Sequence, residues 1–247
     1  MPNIINYAHR GASAYYPENT LIAFEKAIEL GATGIETDVQ MTRDGELVLI
    51  HDESLQRTTG INSLVKDISY DLIKDADAGS WFHQDFSTVR IPKLAELLEL
   101  VKDTNVTINI ELKNGILFYP TLEEKVIELI RTYGITDRVI LSSFNHYSLV
   151  KVKEIAPEIT TGVLFMEGLY QPWNYAKQLG ATALHAITYA TQPELVAEAR
   201  NYGIIYNTFT VNNKIQMEQL ISGGVAGIIT DYPDRLAEVL GSKEDIK

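Results

Sequence analysis

The stretch spanning residues 34–52 reads Gly-Ile-Glu-Thr-Asp-Val-Gln-Met-Thr-Arg-Asp-Gly-Glu-Leu-Val-Leu-Ile-His-Asp. Its first half has the composition of a β-strand. Side chains alternate along a strand, so Glu36 and Asp38 leave the same face, with Ile35, Thr37 and Val39 on the other. Two carboxylates side by side repel and lose hydration, so an ordinary core does not hold them without a cation between them. His51 and Asp52 close the stretch and bring a proton carrier near that candidate cation seat.

Outward from this stretch, short apolar or β-branched runs recur along the chain. They begin near residues 4, 34, 107, 139, 160, 183, 205 and 227, eight strands in all, with amphipathic segments between them. Leu21, Phe24, Ala27, Ile28 and Leu30 have helical spacing behind Asn19-Thr20, and Gly31 stands where such a helix would stop. A second such pattern runs over residues 119–133, and later ones over 147–155, 172–179, 193–201, 214–222 and 233–240. Eight strand–helix units predict an α/β fold, a (β/α)8 TIM barrel, over residues 1–247 as one domain. An open doubly wound sheet would carry a Gly-rich dinucleotide loop after its first strand, and His9-Arg10-Gly11-Ala12-Ser13 is not one.

Residues 53–91 break the rhythm and read as an insertion after the second strand, a lid or pocket wall on the side where barrel sites are built. Trp81, Phe82, His83 and Phe86 are expected to be buried in a small core of that segment.

With 247 residues the chain can bury a full core, and 45% hydrophobic against 22% charged residues is ordinary for a globular protein. A net charge of -12 argues against nucleic acid or an anionic membrane as a partner. With no cysteine, no basic apolar leader and no run of membrane-spanning length, the expectation is a cytoplasmic protein without stable membrane insertion. A homodimer is left open.

On a barrel, the unusual polar residues gather at the C-terminal ends of the first three parallel strands: His9 and Arg10, Glu36 and Asp38, then Glu111 and Lys113, with His51 nearby. Glu36, Asp38 and Glu111 form an oxygen-rich seat suited to one divalent cation, Mg2+ or Ca2+, rather than zinc. His9 and His51 are then free to move protons, while Arg10 and Lys113 face an anionic substrate. Two histidines on opposite sides of a phosphorus are machinery for phosphodiester cleavage. The bland alternatives are structural ion pairs of Arg10 with Glu36 or Asp38 and of Lys113 with Glu111. For His83, His146 and His185 the structural role is the expectation.

These residues resemble a known family. His9-Arg10-Gly11, Pro17-Glu18-Asn19-Thr20, Glu36-Thr37-Asp38-Val39, Asp44-Gly45, His51-Asp52, Ile110-Glu111-Leu112-Lys113 and residues 227–233 are similar, in order, to the glycerophosphodiester phosphodiesterases. The resemblance implies metal-dependent hydrolysis of glycerophosphodiesters, such as glycerophosphocholine and glycerophosphoethanolamine, to glycerol 3-phosphate and an alcohol. It implies His9 and His51 as general acid and base, Glu36, Asp38 and Glu111 as metal ligands, and Arg10 and Lys113 as phosphate ligands. It also implies attack by the neighbouring glycerol hydroxyl to give a cyclic phosphate that water opens. Two positions depart from the pattern. Phe209 replaces a tryptophan, keeping an apolar wall against the glycerol but losing the indole N–H, and Ala226 replaces an acid. Activity on intact lysophospholipids ranks second because residues 53–91 are polar, and a barrel that only binds a phosphorylated ligand ranks third. Tyr170, Trp173 and Tyr175, after the fifth strand, are expected to wall the pocket, with a contact surface as the alternative.

Overall fold

The structure is a computed structural model and describes residues 4–241. Its elements run β1 (Ile5–His9), α1 (Leu21–Glu29), β2 (Gly34–Met41), β3 (Leu47–Leu49), α2 (Gln56–Thr59), α3 (Leu94–Val101), β4 (Thr107–Leu112) and α4 (Leu122–Tyr133). They continue with β5 (Val139–Ser143), α5 (His146–Ile155), β6 (Thr160–Phe165), α6 (Pro172–Gln178), β7 (Ala183–Ile187), α7 (Pro193–Asn201), β8 (Ile205–Phe209), α8 (Lys214–Gly223), β9 (Gly227–Thr230) and α9 (Pro233–Gly241). The parallel strands pair in the order β1-β9-β8-β7-β6-β5-β4-β2, and β2 returns to β1, so the sheet closes into the expected eight-stranded TIM barrel.

Two aliphatic layers fill the space between strands and helices, one centred on Ile35, Leu97, Ile108 and Val126 and the other on Val163, Leu184, Met217 and Ile228. Inside the barrel Tyr7, Ile140 and Ile229 form the apolar plug, with Ile5 and Phe209 packed against it. Gly162 makes room for the buried ring of His185, since a Cβ there would stand 2.6 Å from Nε2. Among the described residues no helix is long and apolar enough to cross a membrane.

The eight parallel strands coincide with the runs read from the sequence, whereas the segment after β2 does not. The run Leu47–Leu49 forms β3, antiparallel to β2 with Val39 opposite Leu49, so the chain doubles back before His51 instead of running into a loop. Tyr119 is not helical: its hydroxyl donates to Gln40 Oε1 at 2.7 Å, and α4 starts only at Leu122. The segment after β3 has a small core, but aliphatic residues build it: Val48, Ile50, Leu55, Val65, Ile73, Ala78 and Ile91.

Trp81, Phe82, His83 and Phe86 lie outside that core, contrary to the expectation. Trp81 is 39% exposed, and Trp81, Phe82, Phe86 and Tyr16 make an edge-to-face chain along the flank. Those rings pack edge to face on one another instead, and the Trp81 indole N–H donates to the Ala78 carbonyl at 2.9 Å.

Candidate active site

Strand register brings the acids together. Asp38 lies opposite Glu111 across the β2–β4 pair, and His9 lies opposite Glu36 across β1–β2. Glu36, Asp38 and Glu111 each offer a carboxylate oxygen, all within 4.8 Å of one another. Two cations reach in: Arg10 Nε stands 3.2 Å from Asp38, and Lys113 Nζ stands 2.9 Å from Glu111 and 3.7 Å from Asp38. The ion pairs foreseen for Arg10 with Asp38 and for Lys113 with Glu111 are therefore present.

Arg10 adopts a left-handed backbone (φ 56°) and Gly11 follows at φ 85°, where a Cβ would lie 2.6 Å from the Ala23 backbone. That sharp turn lets the Arg10 amide donate to the Glu36 carboxylate at 3.0 Å. Asn19, also at φ 56°, donates to Asp38 at 2.9 Å and accepts from the Thr37 hydroxyl at 2.7 Å.

Burial, and then the Asp38 charge, push the carboxyls of Glu36 and Glu111 above the ordinary range. Burial opposes ionisation of Asp38 too, yet Arg10 and Lys113 hold it below the ordinary range. Ionised together, the three acids would outnumber the two cations in a largely buried site, which is costly without a further cation. The donor set is all oxygen, so the residues fit a hard divalent ion.

The two histidines are mounted alike. His9 Nδ1 lies 2.6 Å from Asp231 Oδ1, and Asp231 also accepts from Ser13 Oγ (3.1 Å) and Asn212 Nδ2 (2.6 Å). His51 Nδ1 lies 2.7 Å from Asp52 Oδ1. An ionised carboxylate can only accept, so Nδ1 carries the hydrogen in each ring, and in the neutral form Nε2 is the acceptor. His9 Nε2 sits 4.0 Å from the Glu36 carboxylate. Gln40, wholly buried on β2, donates to the carbonyls of His51 (3.0 Å) and Asp52 (2.6 Å) and fixes the backbone that carries the second ring.

His9, Arg10, Glu36, His51, Glu111, Lys113 and Phe209 all border one cavity of about 300 Å³, so the structure brings the sequence-derived candidates together, with Asp38 against its charged floor. Phe209 meets Phe144 edge to face at 6.2 Å. A groove of about 700 Å³ opens beside this cavity and shares Glu111, Lys113 and Phe144 with it. Tyr175 lines that groove. Trp173 does not: it is buried beneath Tyr202, with the two rings stacked at 5.7 Å, and Tyr170 is 89% exposed. Pro172 starts α6 so that Trp173 falls on the helix face that packs on the barrel.

The remaining histidines stand apart from the acid cluster, His146 in the lining of the adjoining groove. His146 bridges the Tyr175 hydroxyl (2.9 Å) and the Leu164 carbonyl (2.8 Å), His83 sits at the surface 3.4 Å from Asp85, and His185 is buried against Asn207. The residues to which the sequence reading gave no role are those that hold the site residues: Asp231, Asn212 and Ser13 at His9, Gln40 behind His51, and Glu18 and Arg57 beside Arg10 and Asp52. Asp231 stands directly after the last strand, which is the signal that could have found it.

The pattern of the Glycerophosphoryl diester phosphodiesterase family matches residues 9–235. A glycerophosphodiester phosphodiesterase of Caldanaerobacter subterraneus subsp. tengcongensis is 48% identical over 233 residues, covering 94% of this chain and 96% of that protein. One from Bacillus altitudinis is 44% identical over 244 residues, covering 98% of each. Among solved structures, an Oleispira antarctica phosphodiesterase in complex with the product sn-glycerol-3-phosphate superposes with a TM-score of 0.88 at 28% identity, covering 97% of each chain.

Proposed function

This chain belongs to the glycerophosphodiester phosphodiesterase family, and from that premise we propose that it hydrolyses small glycerophosphodiesters, glycerophosphocholine and glycerophosphoethanolamine among them, to glycerol 3-phosphate and an alcohol. The observation that carries this reading is the pair of carboxylate-held imidazoles opening on the same cavity as three clustered acids. Glu36, Asp38 and Glu111 would hold one Mg2+ or Ca2+, which when bound neutralises negative charge on the phosphoryl group. The glycerol-phosphate complex of the Oleispira antarctica relative supports glycerol phosphate as the product half.

In this reading one imidazole Nε2 takes the proton from the attacking glycerol hydroxyl, and the other ring, protonated, gives its proton to the departing alkoxide. Water then opens the cyclic phosphate with the two roles exchanged. Arg10 and Lys113 bind the phosphate oxygens, keeping their present carboxylate contacts as the far side of the same charge array. Phe209 and Ile229 supply the apolar wall for the glycerol carbons. The alcohol half extends into the adjoining groove, past Phe144.

Incubation of the pure protein with a panel of glycerophosphodiesters in Mg2+ or Ca2+, with glycerol phosphate measured as it forms, tests the proposal. Release from at least one of them is expected; no release from any member overturns the reaction.

A second reading, action on lysophospholipids, has one observation in its favour. Ile116, Phe118 and Tyr147 are exposed along the groove and Met166 is exposed at the cavity beside it, none of them in the polar segment on which the sequence argument against lipids rested. Turnover of lysophosphatidylcholine faster than of glycerophosphocholine would place this reading first.

A further inference from the structure

We infer that Arg57 is a positioning residue for the reaction, fixing with one guanidinium the carboxylate that holds His51 and the carboxylate that holds Arg10. Arg57 belongs to α2, a single helical turn of the segment after β3, and its side chain reaches back to the barrel mouth. Nε lies 2.6 Å from Asp52 Oδ2 and Nη2 lies 3.1 Å from Asp52 Oδ1, so one edge of the guanidinium grips both oxygens of Asp52. The other edge grips both oxygens of Glu18, with Nη1 at 3.0 Å and Nη2 at 2.7 Å. Glu18 in turn accepts from Arg10 Nη1 at 3.0 Å.

The result is an alternating row of charge, Asp38, Arg10, Glu18, Arg57 and Asp52, that ends on the Nδ1–H of His51. Trp81 lies over the Arg57 guanidinium at 5.3 Å and covers one face of it. Only a planar guanidinium has donors on two edges, and a lysine ammonium offers one nitrogen for four oxygens.

A plain staple joining the segment to the barrel would need contact with Glu18 alone. Contact with the carboxylate that orients His51 adds a chemical role, because Asp52 must keep both position and charge if the ring is to present a bare Nε2 to the cavity. The segment after β3 thereby acts on the site through this one side chain.

The kinetic part of this inference rests on the proposed function, so its test has an arm that does not. In the full-length protein, 15N spectra of the His51 ring, assigned with His51→Asn, should show the Nδ1–H form in the wild type and a mixture of tautomers in Arg57→Lys and Arg57→Ala. Against glycerophosphoethanolamine, Arg57→Lys should lower kcat about 10-fold, and in an Asp52→Asn background it should cost less than about 3-fold more, since both changes break the same link. A His51 spectrum unchanged in both Arg57 variants overturns the proposal, as does a penalty for Arg57→Lys that multiplies in full on that of Asp52→Asn. If the wild type turns over no glycerophosphodiester, the proposed function fails while the ring spectra still decide the role of Arg57.

Discussion

His9 and His51 stand on the same cavity and each gives its Nδ1 to an aspartate, but the two aspartates are held in different ways. Asp231 follows β9 and is fixed by neutral donors, Ser13 Oγ and Asn212 Nδ2, with the Asn212 side chain also accepting from the Asp231 amide at 2.9 Å. Asp52 follows β3 and is fixed by a charge, the Arg57 fork, which hydrogen-bonds it and holds its pKa down at about 2. One histidine is thus braced by the barrel itself through several redundant contacts. The other has its backbone fixed by Gln40 of the barrel, while the carboxylate that orients its ring is held by one side chain of the excursion, Arg57.

The largest effect should come from removing either ring. His9→Ala and His51→Ala are each expected to lower kcat by roughly 10²- to 10⁴-fold, the usual worth of a positioned acid or base, and a variant with wild-type kcat would take that ring out of the mechanism. Next come the carboxylates. Asp231→Asn and Asp52→Asn should each cost about 10- to 100-fold in kcat, because an amide no longer enforces the Nδ1–H form. Steady-state rates showing only one of the two to be sensitive would break the parallel between the rings.

The difference between the braces is sharpened by Ser13→Ala. With Asn212 still in place, this variant should lose no more than about 2- to 3-fold in kcat, less than Arg57→Lys, and a larger loss would mean that the Asp231 brace is not redundant.

A third imidazole gives the smallest effect and serves as a reference. His185 has no carboxylate: Asn207 Nδ2 lies 3.0 Å from its Nε2, and burial pushes its pKa down to about 3. The folded value lies below the unfolded one of about 6.5, so the stabilising neutral form is fully present above about pH 6.5 and stability is lost as pH falls towards 3. Between pH 7 and 5.5 the loss is about 1 kcal/mol, or about 2–4 °C in Tm for a chain of this size. Melting curves at the two pH values should show this loss in the wild type and a smaller one in His185→Gln. Equal losses would refute the account of His185.

The parts of this arrangement legible in the sequence are those set by local period. A strand alternates with period two, so Glu36 with Asp38 and Glu111 with Lys113 could be aligned on inward faces from their spacing, and the eight strand runs were visible because parallel strands are apolar on both sides. Arg57 is only five residues from Asp52, but neither the brace of His9 nor the link from Arg57 to Glu18 is local. Asp231 is 222 residues from His9, and Arg57 is 39 from Glu18, distances that no window of sequence spans. Trp173 was misplaced for a related reason: the helical phase that turns it into the core is set by where Pro172 starts α6, not by the ring's own chemistry. The aromatics near Trp81 were expected inside a small core, and they pack edge to face on one another outside it, a pairing that their spacing in the sequence does not reveal.

All of this presupposes that Glu36, Asp38 and Glu111 gather to share a cation. The direct measurement is glycerol phosphate release from glycerophosphoethanolamine by protein stripped with EDTA, before and after Mg2+ or Ca2+ is returned. The account predicts that turnover disappears on stripping and comes back with one of the two ions; undiminished turnover in EDTA would contradict it.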